Sequence, residues 1–409
     1  MISGPSNTPT RSAVAVSTAL AALLASTHDA AAQGCVAVRG GGLCSLNHAH
    51  QGDHAMVDGD WEVSLSYRWL HSFRHFASDR ETRNAAGLTR VEAGTEVIND
   101  SHFFDVGVSY TFSPRYSASL VLPFVYSDRS SLYEHSAGGR HHTQAGGLGD
   151  LRLSGYAWVI DPATAPKGNI QFGLGMKFPT GDYKATDTYQ TARGPEVHYV
   201  DQSIQPGDGG WGFSTEMFGY QRIADRLSAY VQGFYLFNPE SENGVSSRTS
   251  NFRGKTYQAL LNGAAAGNAT AIARLDRAES LGYANYKSLE DNMSIADQYM
   301  VRGGLSYLLW PKYSTILSLG GRVEGVPSED LLGTSDGFRR PGYTVSIEPG
   351  ISASYSRYTL AVTAPVALYR NRIASEPDKR WGEITQLGTV PGDAAFADYV
   401  ITAAFSFRF

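Results

Sequence analysis

The chain has 409 residues, 18% of them charged, a formal net charge of −5 and a pI near 6.1. That balance supplies no basic surface for nucleic acid, and no nucleic-acid partner is expected. Length alone suggests two or three soluble domains, although all-β barrels often exceed ordinary domain size as one unit.

Residues 1–32 differ in composition from all that follows. A polar start with one arginine, Arg11, leads into the apolar run 13–25, "AVAVSTALAALLA", and Ala30, Ala31 and Ala32 supply an A-x-A site. This is the pattern of a secretory signal peptide, with cleavage expected after Ala32. The run is shorter than the ~20 residues of a spanning helix, and no later window offers ~18 uncharged apolar residues. A membrane protein of this sequence would therefore cross with strands.

Residues 33–60 are polar and glycine-rich, suited to a periplasmic tether or a plug. Cys35 and Cys44 are expected to form one local disulfide in an oxidising compartment. His48, His50 and His54, beside Asp53, are candidate ligands for zinc or copper, since imidazole and carboxylate suit both; the alternative is a solvated tail. No cofactor is expected.

From Trp61 onward the dominant period is two, and twelve segments carry it. In chain order they are "WEVSLSYRWL" (61–70), "FFDVGVSYTF" (103–112), "YSASLVLPFVYS" (116–127), "LRLSGYAWV" (151–159), "IQFGLGMKF" (170–178) and "WGFSTEMFGYQR" (211–222). Then come "LSAYVQGFYLF" (227–237), "YMVRGGLSYLLW" (299–310), "YSTILSLGGRVE" (313–324), "YTVSIEPGISASY" (343–355), "YTLAVTAPVALY" (358–369) and "YVITAAFSFRF" (399–409). Links after even-numbered segments are short: 113–115, 161–168, 224–226, 311–312 and 356–357. Links after odd-numbered segments are long: 71–102, 128–149, 179–210, 239–297, 325–342 and 370–397. A transmembrane antiparallel barrel sorts its connections this way, with short periplasmic turns, long extracellular loops and, for an even strand number, both termini periplasmic.

The apolar parity carries no charge in any segment. The opposite parity and the turns hold Glu62, Arg68, Asp105, Arg152, Lys177, Glu216, Arg222, Arg302, Arg322, Glu324, Glu348, Arg357 and Arg408. An Arg or Lys facing mid-membrane lipid costs about 2–4 kcal/mol, so the charged parity is assigned to the lumen. Arg68, Arg152, Lys177, Glu216, Arg302, Arg322, Glu348 and Arg408 are the residues expected to line or constrict the path. Aromatics at segment ends, Trp61 and Trp69, Tyr116 and Tyr126, Tyr343 and Tyr355, read as two interfacial girdles. Pro123, Pro349 and Pro365 lie inside strands and imply bulges, read as kinks or as a lateral opening.

Catalysis has one foothold, "EHSAGGRHH" (134–142), where His135 and Ser136 sit together on a glycine-rich loop; a mobile loop preorganises a nucleophile and base poorly, and enzyme function is not expected. The long link 239–297 contains "TAIARLDRAESLGYANYKSLED", compatible with a short surface helix acting as a lid, and also with an adhesive surface insertion.

The stretches "GGLGDLRLSGYAWVIDP" (146–162) and "GNIQFGLGMKFPTGDYKATD" (168–187) resemble the outer-membrane transporter family named for the meta pathway of phenol degradation, itself distantly similar to the long-chain fatty-acid and toluene transporters. The resemblance implies a barrel in the bacterial outer membrane, with lipid around it and small hydrophobic or aromatic solutes as cargo. The terminal Phe409 likewise resembles the signal by which such barrels are recognised by the barrel-assembly machinery.

Overall fold

A strand with period two has one apolar face, and that face must meet other protein or lipid. A computed structural model, which describes residues 59–132, 134–135, 138–247, 260–281, 290–386, 388–389 and 391–409, shows one antiparallel sheet closed on itself with the apolar face outward. Cys35, Cys44, His48, His50, His54 and Ser136 lie outside the described residues.

Twelve strands form the barrel. They are β1 (Trp61–Ala77), β2 (Ile98–Ser113), β3 (Tyr116–Ser131), β4 in two pieces (His141–Leu148 and Leu151–Trp158), β5 (Gly168–Phe178) and β6 (Gly212–Ala224). The circuit continues with β7 (Leu227–Phe237), β8 (Gln298–Trp310), β9 (Thr315–Val326), β10 (Gly342–Tyr355), β11 in two pieces (Tyr358–Thr363 and Val366–Arg372) and β12 (Ala394–Arg408). Each pairs with its neighbours in sequence, and β12 returns to β1, placing Phe405 beside Leu65 and Phe407 beside Val63. Trp61 N donates to Phe409 O at 3.0 Å and Phe409 N to Trp61 O at 2.9 Å, so no sheet edge is left at the seam.

The outward face is exposed and apolar: Leu65, Phe104, Leu120, Leu153, Leu174, Leu305, Leu319, Ile351, Leu360 and Phe405 are among its members. It ends in aromatic rims. Trp61 packs on Tyr110 (4.7 Å between centroids) and Tyr313 on Tyr355 (5.5 Å) at one end, while Trp69 meets Tyr399 edge-on (5.9 Å) at the other. Trp61 to Trp69 is roughly 27 Å of strand at about 3.4 Å per residue, or roughly 21 Å when tilted by about 40°, close to the ~25 Å band that lipid imposes. Among the described residues no helix is long and apolar enough to cross a membrane.

Prolines mark both interrupted strands. The break in β4 at 149–150 lies opposite Pro123, whose carbonyl still accepts from Gly149 N at 2.8 Å. The break in β11 lies opposite Pro349, whose carbonyl accepts from Ala364 N at 3.1 Å. Each proline lacks a ladder donor, and each gap is stitched by the next backbone bond, so the wall kinks at these points.

At the Trp61 end the connections are 114–115, 159–167, 225–226, 311–314 and 356–357. At the other end the strands run past Trp69 and carry long segments with structure of their own. These include the hairpin of Thr186–Thr191 with Gly194–Tyr199, the helical turn Gln202–Ile204, and the pair Glu242–Ser246 with Asn292–Ser294. Helix α1 (Ala269–Ser280) falls inside the link where a short helix is predicted, its Asn268 side chain accepting from Ala271 N. Helix α2 (Glu376–Thr385) starts at a capping box of Ser375 and Asp378. Val97, Val200, Ile204, Val245, Met293 and Ile295 are almost fully buried there, Val200 and Ile204 in a cluster with Ala145 and Ala185.

Candidate functional site: the lumen and its mouth

Because successive side chains alternate across the wall, every second residue of each strand faces the lumen. Three levels can be followed from the short-turn end to the loop end.

The lowest is aromatic. Trp158, Phe218 and Tyr230 pack together, with Tyr220 against them, and Tyr220 OH donates to Ala165 O at 3.3 Å. Arg408 and Glu62 are cross-strand partners near this end.

The middle level is charged. Arg302 Nη1 lies 2.7 Å from Glu348 Oε1 with both side chains 2% exposed, and Arg302 Nε donates to Gln232 Oε1 at 2.8 Å. Arg322 meets Glu324 at 2.7 Å and Glu348 at 3.6 Å, joining strands β8, β9 and β10 into one ion-pair network. Arg68 stacks its guanidinium 4.4 Å from the Phe103 ring. Arg152 reaches Asp105 at 4.0 Å, and Glu216 accepts from Ser154 (3.2 Å), Tyr156 (3.2 Å) and Ser214 (3.3 Å). Six of the eight residues predicted for the lumen, Arg68, Arg152, Glu216, Arg302, Arg322 and Glu348, thus share this level, and Arg408 lies below it.

Lys177, on the inward parity opposite Arg152, lies at the outer edge of this level. It is buried and paired with Asp208 at the outer end of β5, where three glycine-rich turns meet. Asp150, in the β4 break, accepts from Gly181 N and from Asp208 N, each at 3.0 Å. A Cβ on Gly181 would sit 2.8 Å from both the Gly149 carbonyl carbon and the Gly207 Cα, so only glycine lets these backbones close.

Above this, the inward surface turns apolar: Leu70, Phe103, Val125 and Val400 on one side, Phe234, Leu236 and Met300 on the other. The segment between β5 and β6 folds in over it. Ser203 Oγ donates to the inward-facing Asn99 Oδ1 at 3.3 Å, Arg129 Nη1 to the same Asn99 oxygen at 2.7 Å, and Gln202 Nε2 to Ser294 O at 2.7 Å. Asp201 takes both nitrogens of Arg340, at 2.8 and 2.6 Å, and lies 3.6 Å from Arg129. Burial works to raise the Asp201 pKa, but the two guanidiniums outweigh it and hold the carboxyl well below the usual range. A further bidentate pair, Arg339 with Asp330, is wholly buried beside it.

Of the two residues in the catalytic alternative, His135 is among the described ones. His135 is buried, stacked on Tyr189 at 4.9 Å, and its Nδ1 accepts from Gln190 N at 3.0 Å. Among the described residues no cluster of three or more His, Cys, Asp or Glu is placed to hold a metal ion. Sequence reasoning missed Asp150, Asp201, Arg129 and Arg340. The first sits in the quoted "GGLGDLR" and was open to notice; the others lie off the periodic pattern or are partnered across long stretches of chain.

No family model and no curated protein matches the chain. Among solved structures, the chain is similar to an outer membrane channel from Pseudomonas putida, at 12% identity over 88% of this chain and 99% of that one, with a TM-score of 0.49. It is also similar to the CymD monoaromatic hydrocarbon channel, at 10% identity over 92% and 94% of the two chains and a TM-score of 0.36. A Pseudomonas aeruginosa FadL homologue gives 8% identity over 86% and 91%, with a TM-score of 0.36.

Proposed function

We propose that the protein is an outer-membrane channel through which small solutes diffuse, with the short turns and both chain ends on the periplasmic side. The observation that carries this reading is the radial sorting of the wall. An apolar surface between two aromatic rims faces out, and a continuous layer of Arg, Glu and Asp faces in. Lipid would enforce the first and a water-bearing path would use the second. Twelve strands place the bore between filled eight-stranded barrels and open porins, so inward side chains and loops set its width.

For cargo, the resemblance carried by residues 146–187 implies hydrophobic or aromatic small molecules. The apolar inward patches around Phe103 and Phe234, next to the charged level, suit solutes with an apolar body and one polar group. The mature chain, refolded and shown to be a barrel by heat-modifiable migration, should conduct in planar bilayers and admit a small aromatic carboxylate into liposomes. A folded protein giving neither current nor flux would remove the reading.

A further inference from the structure

We propose that residues 179–210 are the gate of this passage, hinged at Asp150 and latched at Asp201. The inference rests on the channel reading above and adds to it the part that moves and the bonds that hold it.

The hinge is a single carboxylate that holds both ends of the segment. Gly181 lies at its start and Asp208 near its end, and Asp150 accepts a backbone N–H from each, one per oxygen. Gly207 N also donates to Asp182 O at 2.9 Å, and Lys177 pairs with Asp208, so the two ends leave the wall side by side as one stem. Such a stem lets the rest of the segment swing as a unit while its root stays fixed. Internal bracing supports that unit: Gln205 bonds both the N–H and the carbonyl of Ala185 at 3.0 and 3.2 Å, and the carbonyl of Val200 at 3.1 Å.

The latch lies on the returning arm of the segment, between the base of the hairpin and the stem, and bridges opposite walls. Arg129 projects inward from β3, whereas Arg340 comes from the loop between β9 and β10, across a ring of twelve strands. Both converge on Asp201, and the adjacent Ser203 bonds Asn99 of β2. This arm therefore crosses the mouth above the apolar part of the lumen. An ion bridge is suited to this position because it is directional and can be replaced by water when the arm lifts, and it adds to the apolar contact that Val200 and Ile204 make with Ala145 of the wall.

Three changes in the full chain, with Cys35 and Cys44 replaced by serine, test the gate. Asp201→Asn and Arg340→Ala should each raise the open fraction in single-channel records by roughly tenfold or more, because each removes the bidentate bridge between the segment and the loop between β9 and β10. Asn99→Cys with Ser203→Cys, oxidised, should hold the channel in its lowest-conductance state, and reductant should release it. Replacement of residues 183–205 by a short Gly-Ser linker should give a permanently larger conductance. Heat-modifiable migration confirms that each variant has formed its barrel. Wild-type current that is unchanged by the latch substitutions and by the cross-link overturns the gate alone. Absence of current in every variant, the linker replacement included, overturns the channel and the gate with it.

Discussion

At the scale of single residues, the lumen is held by ion pairs rather than by apolar packing alone. Arg302 and Glu348 are each 2% exposed, so each has given up hydration for the other. Removing one leaves a buried charge without its partner, and Glu348→Ala should cost about 3–5 kcal/mol, read as a fall in the urea midpoint of the barrel in lipid. Replacing both by apolar residues of similar size should recover most of that loss, since the desolvation cost disappears with the pair. In the outer loops Asp393 lies 2.5 Å from Arg90 and 3.4 Å from His75. Burial opposes ionisation there, but the hydrogen bond from the His75 ring and the charge of Arg90 outweigh it and hold the carboxyl at about 2. A carboxylate with a depressed folded pKa contributes stability above its unfolded value of about 4 and loses it as pH falls from there through 2. Wild-type stability should drop across that window by up to about 2 kcal/mol, whereas Asp393→Asn should be weaker at neutral pH and nearly flat below pH 4. Of these interactions the sequence exposed the charged members but not their partners. Arg68, Arg302 and Glu348 stood on the inward parity, while nothing local to them named Phe103 or Gln232 as the groups they meet.

At the scale of elements, alternation is the controlling fact. Leu174 is 71% exposed in the middle of β5, where a soluble protein would bury it. Leu174→Arg should destabilise the barrel by about 2–4 kcal/mol in lipid, while Leu174→Met should stay under about 1.5 kcal/mol, both measured by reversible unfolding from vesicles. The twelve strands were legible because period two is written into each segment separately. Their extensions beyond Trp69 were not, since β1 continues to Ala77 through "HSFRHFA", where loops cover both faces and relax the pattern. The interruptions at Pro123 and Pro349 were legible as defects. β11 splits at its own Pro365, opposite Pro349, whereas the split of β4 was decided by its neighbour, which meets it at Pro123.

At the scale of the whole molecule, closure depends on one seam. Deleting residues 405–409 removes the partners of Leu65, Ser64, Val63 and Glu62, and the truncated chain should lose heat-modifiable migration and conductance together. A compact band that survives the deletion would show that the β1–β12 pairing is dispensable. The sequence by itself determined which side of the wall each strand residue faces and which connections are long, because both follow from local geometry and from the cost of placing charge in hydrocarbon. Only the tertiary structure decided what fills the mouth. Asp201 and Arg340 are separated by 139 positions, and they meet because closing the sheet carries the segment between β5 and β6 round to face the loop between β9 and β10. A contact across the bore is a property of the ring, and no period along a single strand encodes it.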